Sequence, residues 1–329
     1  MAEIKVNDNL LTVSTSPHIR AEESISKIMW SVSASLAPAA IFGVYNFGIP
    51  ALTIMVVGIL AAVACEYFVQ KVRGKEITIN DGSAFLTGLL LAMCVPPTLP
   101  PYMMAIGSFI AIVICKHSMG GLGYNIFNPA HIGRAALMVS WPIAMTTWSK
   151  ITTSVDVVTS ATPLNILKQQ GYGKLLETFG GTSELYKALF IGTRNGSIGE
   201  TSTILLIIGG LYLIYKKYIN WQVPVFMIGT VAILTWIFGP AGLFTGDPIF
   251  HVMAGGLIIG AFFMATDMVT IPITKKGQII FAVGAGALTV LIRLKGGYPE
   301  GVCYSILLMN SVTPLIDRLC PPVKFGIRR

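Results

Sequence analysis

Residues 51–70 read ALTIMVVGILAAVACEYFVQ, a run in which Glu66 is the only Asp, Glu, Lys or Arg. A bilayer core is spanned by about 20 apolar residues of helix, and a helix apolar on every side belongs in a membrane or a large core rather than at a water-facing surface. Working outward, nine further apolar runs cover 28–48, 83–96, 102–115, 127–145, 201–215, 221–239, 249–268, 278–292 and 301–319. The expected fold is therefore an all-α polytopic membrane protein of about ten transmembrane helices.

Composition agrees. Of 329 residues, 53% are hydrophobic and 12% charged, half the roughly 25% of soluble domains, and mean hydropathy is +0.71. That excludes an ordinary soluble enzyme. The 34 Gly and 18 Pro suit closely packed, interrupted membrane helices. Net charge is +8, but the basic residues are scattered through short loops, not clustered among aromatics as in a nucleic-acid binder, so no nucleic-acid partner is expected. Met1 to Ser16 is polar and lacks the order of a cleavable signal peptide. Cys65, Cys94, Cys115, Cys303 and Cys320 stand singly without a CxxC; buried thiols, not a metal or iron–sulfur site, are expected.

Lys and Arg accumulate in cytoplasmic loops. With the N-terminus inside, Lys71, Arg73, Lys75, Lys116, Lys216, Lys217, Lys275 and Lys276 fall in inside segments, while short outside turns hold only Arg293 and Lys295. Both termini then face the cytoplasm. The expected organisation is a cytoplasmic segment 1–27, a first five-helix half 28–145, an external loop 146–200, a second five-helix half 201–319 and a cytoplasmic tail 320–329. An odd number of crossings per half inverts the second half. Short or interrupted spans mark the central site of such folds; 83–96 ends at Pro96-Pro97-Thr98-Leu99-Pro100-Pro101, and 278–292 is followed by Gly296-Gly297-Tyr298-Pro299-Glu300-Gly301.

The external loop contains Asp156-Val157-Val158-Thr159-Ser160-Ala161-Thr162-Pro163. Read alone it is a polar turn in which Thr162, preceding proline, takes an extended backbone and offers its hydroxyl. A bare threonine hydroxyl is a weak nucleophile, so modification there would need another enzyme.

That string resembles the flavinylation motif of the D-type subunits of Rnf electron-transport complexes and of the related B-type subunits of sodium-pumping NADH:quinone reductases. The likeness extends through Asp81-Gly82-Ser83-Ala84, Met119 to Ala130, Gly260 to Asp267 and Gly296 to Gly301. It implies that a flavin transferase, with FAD as donor, joins FMN to Thr162 by a phosphoester, with Asp156, Thr159, Ser160 and Ala161 as the rest of the motif. It also implies a bacterial inner-membrane subunit of an ion-translocating ferredoxin:NAD oxidoreductase, relaying electrons coupled to Na⁺ or H⁺, with subunits A, B, C, E and G and membrane lipid as partners. Sorted by side, Asp247, Gly297, Tyr298 and Glu300 become candidate surroundings of the outer flavin. Asp81, Gly121, Asn125 and Asp267 become candidates for an inner ion site or a second, non-covalent flavin such as riboflavin.

Other features read more simply. Asn128-Pro129-Ala130 is similar to the aquaporin signature, but that fold needs two copies; Asn128 reads as a helix cap with Pro129 in the first turn. Arg134 lies inside a span, where a charge is costly unless paired or wetted; a flavin neighbour, an ion pair and a subunit contact all remain open for it. Glu66 and Asp267, near helix ends, could reach the interface, and His131 and His251 read as packing residues. The alternatives to a redox subunit are a channel or secondary transporter for a small solute, which the same architecture serves, and a cofactor-free scaffold.

Overall fold

The computed structural model describes residues 23–148, 161–192, 194–200, 202–239, 242–298 and 300–322. Asp156, Thr159 and Ser160 lie outside the described residues, as do most of the expected terminal segments.

Caps and prolines start the helices where the sequence places them. The Ser24 hydroxyl accepts from Lys27 N to begin α1 (Ile25–Phe47), and Pro50 stands in the first turn of α2 (Ile49–Val72). α3 (Ser83–Met93) is short and gives way to a run of turns up to Pro100, as the proline-rich string implies. α4 (Pro101–Phe109) continues as π-wound turns over Ile110–His117. Asn128 caps α5 (Pro129–Ser140), its Oδ1 accepting from Ala130 N and His131 N. The span expected at 127–145 is divided, because Trp141-Pro142 ends α5 and starts α6 (Pro142–Thr146).

The region expected to be a loop, 146–200, contains α7 (Pro163–Phe179) and α8 (Thr182–Ile191). A structureless connection of that length is uncommon. Leu164, Ile166, Leu175, Leu185 and Leu189 instead form a small core of their own with Phe250 and Ala254.

The second half comprises α9 (Thr203–Tyr215), α10 (Gln222–Ile237), α11 (Pro248–Met253), α12 (Leu257–Ile259) running on as π-wound turns over Gly260–Met264, α13 (Lys275–Lys295) and α14 (Val302–Leu319). The described strands are the two-residue β1 (Phe238–Gly239) and β2 (Gly242–Leu243), an antiparallel hairpin. The break in this half departs from expectation. The run 278–292 lies inside the unbroken 21-residue α13, and the interruption falls at Ala254-Gly255-Gly256, where Gly255 has φ +70°. Gly286 of α13 serves close packing instead: a Cβ there would lie 2.8 Å from Met227 O of α10.

α1, α2 and α13 are long and apolar enough to cross a bilayer, and α3, α4 with its π extension, α9 and α10 are shorter apolar helices. One core links the two halves, from Leu36, Leu91 and Met104 to Met227, Ala261 and Phe281. Helices approach closely through small residues; a Cβ on Gly88 of α3 would meet Gly58 O of α2 at 2.6 Å, and one on Gly209 of α9 would collide with Ser35 O of α1. The chain is an all-α membrane protein with interrupted helices. α1 runs its length between two groups of polar residues: Ile28 lines a cavity near its start, and near its end Asn46 Nδ2 donates to Gly192 O at 3.0 Å.

Candidate functional site

Thr162 is the N-cap of α7, its Oγ1 accepting from Asn165 N at 3.2 Å with Pro163 in the first turn. It is 4% exposed. The threonine is therefore seated in the protein rather than displayed on a free turn, and it lines a cavity of about 310 Å³. That is within the roughly 300–1,000 Å³ of small-molecule sites. Asn165 and Gln169 of α7, Arg134 and Met138 of α5, Trp148, and Tyr298, Glu300, Cys303 and Tyr304 around the start of α14 supply the walls. Tyr298 and Tyr304 stack with ring centres 5.7 Å apart.

Two residues of the cavity lining reach the helix interruptions: Arg134 bonds to the chain just past α3, and Thr162 shares a narrow cleft with Gly255. Backbone groups freed at such breaks must find partners inside the protein, and three buried arginines supply them. Arg134 Nε donates to Cys94 O, just past α3, at 2.9 Å. Arg194 donates through Nη1 to Met253 O at 2.7 Å, and through Nε and Nη2 to Glu200 O at 3.1 and 2.5 Å. Arg293 donates to His251 O at 2.5 Å and to Ala254 O at 3.0 Å. The carbonyl end of α11 carries negative partial charge, so guanidinium groups suit it. Arg134 also pairs with Glu300, Nη2 to Oε2, at 2.5 Å. This pair joins α5 of the first half to the turn before α14 of the second.

Gly297, Tyr298 and Glu300 thus line the Thr162 cavity and Arg134 joins them, while Asp247 does not line it. Asp247 caps α11, Oδ1 accepting from Phe250 N at 3.0 Å, and its Oδ2 accepts from Tyr172 OH at 2.8 Å and Tyr186 OH at 2.7 Å. It ties α7 and α8 to the second half. Burial and the bond to Asp247 raise both phenols above their ordinary range.

At the opposite end, Asn125 and Asp267 line a second cavity of about 110 Å³ with Ser83, Lys116 and Asn128. Asp81 stands beside it, its Oδ1 accepting from Ser83 N and Oγ at 2.7 Å each, and Gly121 precedes the lining Leu122. Asn128 Nδ2 donates to Met264 O at 3.2 Å, and Asn128 N donates to the Asn310 side-chain oxygen at 3.1 Å. Glu66 does not reach an interface. It is 1% exposed and both its oxygens hold Lys116 Nζ, at 2.9 and 2.7 Å, while Lys116 also donates to Ser83 Oγ at 2.7 Å.

Sequence reading misses Glu200, Arg194 and the Glu66–Lys116 pair. The topology rule treats Lys116 as a solvated loop charge, and it does not extend to a loop as long as the one holding Glu200 and Arg194. The signal available is a charge flanked by glycine, as in Arg194-Asn195-Gly196 and Gly199-Glu200. His131 and His251 are buried, as packing residues should be.

The chain matches the NQR2, RnfD, RnfE family over residues 12–326. It belongs to that family. It is 76% identical over the whole of both chains to the D component of the proton-translocating ferredoxin:NAD(+) oxidoreductase complex of Clostridium ljungdahlii. It is 45% identical, with 98% of each chain covered, to the D component of the Na(+)-translocating ferredoxin:NAD(+) oxidoreductase complex of Acetobacterium woodii. The D component of the ion-translocating oxidoreductase complex of Stutzerimonas stutzeri is 38% identical over 92% of each chain. The resemblance to that family therefore extends over nearly the whole chain.

Proposed function

We propose that the chain is the membrane-embedded D component of an Rnf-type ferredoxin:NAD oxidoreductase complex in the bacterial inner membrane. In this reading ten crossings in two inverted halves place both termini in the cytoplasm and the Thr162 cavity on the outer side. FMN is joined to Thr162 through a phosphoester made by a flavin transferase, and the chain relays electrons, coupled to Na⁺ or H⁺ transport, with subunits A, B, C, E and G.

The observation that carries the reading is that Thr162, the last residue of the flavinylation motif, opens onto the larger of the two cavities at the ends of the bundle. The residues present suit an FMN. The start of α7 favours a phosphate on Thr162 by the partial positive charge of its free N–H groups, and the Tyr298–Tyr304 pair offers an aromatic wall for a planar ring. Arg134, Arg194 and Arg293 place buried positive charge alongside. FMN supplies the electron transfer; the chain binds it, fixes its distance to the next carrier and keeps bulk water from it. A tethered flavin cannot diffuse away, which suits a relay more than a solute channel. The inner cavity, at about 110 Å³, suits an ion or water better than a whole riboflavin.

The test is ultraviolet fluorescence of the denatured protein band after coexpression with a flavin transferase. Fluorescence is expected in the wild type and absent from Thr162→Ala. A dark wild-type band with an active transferase would sink the proposal and move a transporter or scaffold ahead of it.

A further inference from the structure

Two carboxyls meet beside Thr162. Glu200 ends the turn before α9 and Glu300 lies in the turn before α14; both line a narrow cleft with Thr162 and Arg194, and their carboxyl groups are within hydrogen-bonding reach of each other. Glu200 is 5% exposed and the Glu300 side chain 10%. Glu300 Oε2 accepts from Arg134, but Glu300 Oε1 is buried and receives no hydrogen bond from a fixed donor among the described residues.

The charges facing the pair are Arg134 of α5, Arg194 of the segment after α8 and Arg293 of α13, with the thiols of Cys94 and Cys303 nearby. Arg194 and Arg293 direct their hydrogen bonds to backbone carbonyls, and Arg134 meets only Glu300 of the two acids. Two ionised carboxylates in buried contact repel each other, and a buried acceptor without a donor is costly. One proton removes both problems. Burial, together with the Glu300 carboxylate, raises Glu200; burial also pushes Glu300 up, but Arg134, the bond from Glu200 and Arg293 together outweigh it and hold Glu300 below its ordinary value.

We propose that Glu200 and Glu300 form a proton-binding site: one proton is held at neutral pH on the Glu200 carboxyl, whose O–H donates to Glu300 Oε1. The proton comes from water and returns to it; no other bond forms or breaks. Because the pair lies beside Thr162, negative charge arriving in the cavity tightens its hold on the proton and positive charge loosens it. That link to a flavin rests on the reading above, whereas the proton site stands without it.

The experiment records the infrared carboxyl stretch of the purified complex in H₂O and D₂O at neutral pH, for wild type, Glu200→Gln, Glu300→Gln and Thr162→Ala. The expected result is one protonated-carboxyl band in the wild-type minus Glu200→Gln difference. The same band shifts or is lost in Glu300→Gln, which removes the carboxylate that accepts the O–H and that helps to raise Glu200. It persists in Thr162→Ala. The amide introduced by Glu200→Gln can still donate to Glu300 Oε1, so that variant is expected to fold and to keep its flavin fluorescence.

Either of two results overturns the proton site: a wild type with no band absent from Glu200→Gln, or a band unchanged in Glu300→Gln. Fluorescence surviving in Thr162→Ala would instead defeat the flavin assignment and leave the infrared result intact.

Discussion

The Lys116–Glu66 pair offers a sharp test of the packing. Lys116 Nζ lies 2.9 and 2.7 Å from the two Glu66 oxygens and 2.7 Å from Ser83 Oγ, with side chains 2% and 1% exposed. Lys116→Met keeps much of the volume and removes the charge, leaving a carboxylate buried with Gln70 and a neighbouring His117. Breaking such a pair from one side costs roughly 3–5 kcal/mol, whereas replacing both partners with uncharged groups is often close to neutral. At about 1.4 kcal/mol per tenfold, Lys116→Met should raise the opened population by roughly a hundred- to four-thousandfold. The assay is denaturant-dependent labelling of Cys94 and Cys303, which are 6% and 3% exposed; Cys303 lines the opposite cavity from Lys116. Adding Glu66→Gln should recover most of the loss. A single variant costing under about 1 kcal/mol, or a double variant no better than the single, would refute the argument that the ammonium is there to neutralise Glu66.

Gly88→Ala places a Cβ 2.6 Å from Gly58 O and 2.8 Å from Ile59 Cα, both backbone, so α2 and α3 must separate; overpacking of this kind costs about 1–3 kcal/mol, read in the same labelling assay, and wild-type behaviour would mean the helices slide freely. Tyr172→Phe and Tyr186→Phe each remove one bond to Asp247, a loss of about 1 kcal/mol apiece that should appear first as faster amide exchange in α7 and α8. Because both phenols are raised in the folded protein, their contribution is complete below the ordinary phenol value of about 10 and is lost as pH rises through the folded values. Tyrosinate absorption followed against pH should therefore show two late-ionising phenols in the wild type that the double variant lacks, and late-ionising profiles that coincide would count against the bonds to Asp247.

The helix starts are legible because capping is local. Asn128-Pro129, Thr162-Pro163 and Asp247-Pro248 each join a side-chain acceptor to a residue that needs no N–H partner, and neighbours along the chain are enough to specify that. The break at Pro96 to Pro101 is legible for the same reason. The second break is not, because Gly255 and Gly286 look alike in a string: one takes a positive φ at an interruption, while the other admits Met227 O to the side of a straight helix. The arginines that donate to the freed carbonyls come from distant positions.

The order of apolar runs and the scarcity of charge determined by themselves that this is an all-α membrane chain, and the residues around Thr162 carried its resemblance to a family, since hydropathy and a local motif need no partner to be read. Tertiary structure alone decided that Thr162 is buried at the edge of a cavity, that Arg134 meets Glu300 across 166 positions of chain, and that Lys116 neutralises Glu66 rather than facing water. Those outcomes follow from Coulombic and hydrogen-bonding demands at low dielectric, where a charge is tolerated only if the fold brings its partner within about 3 Å.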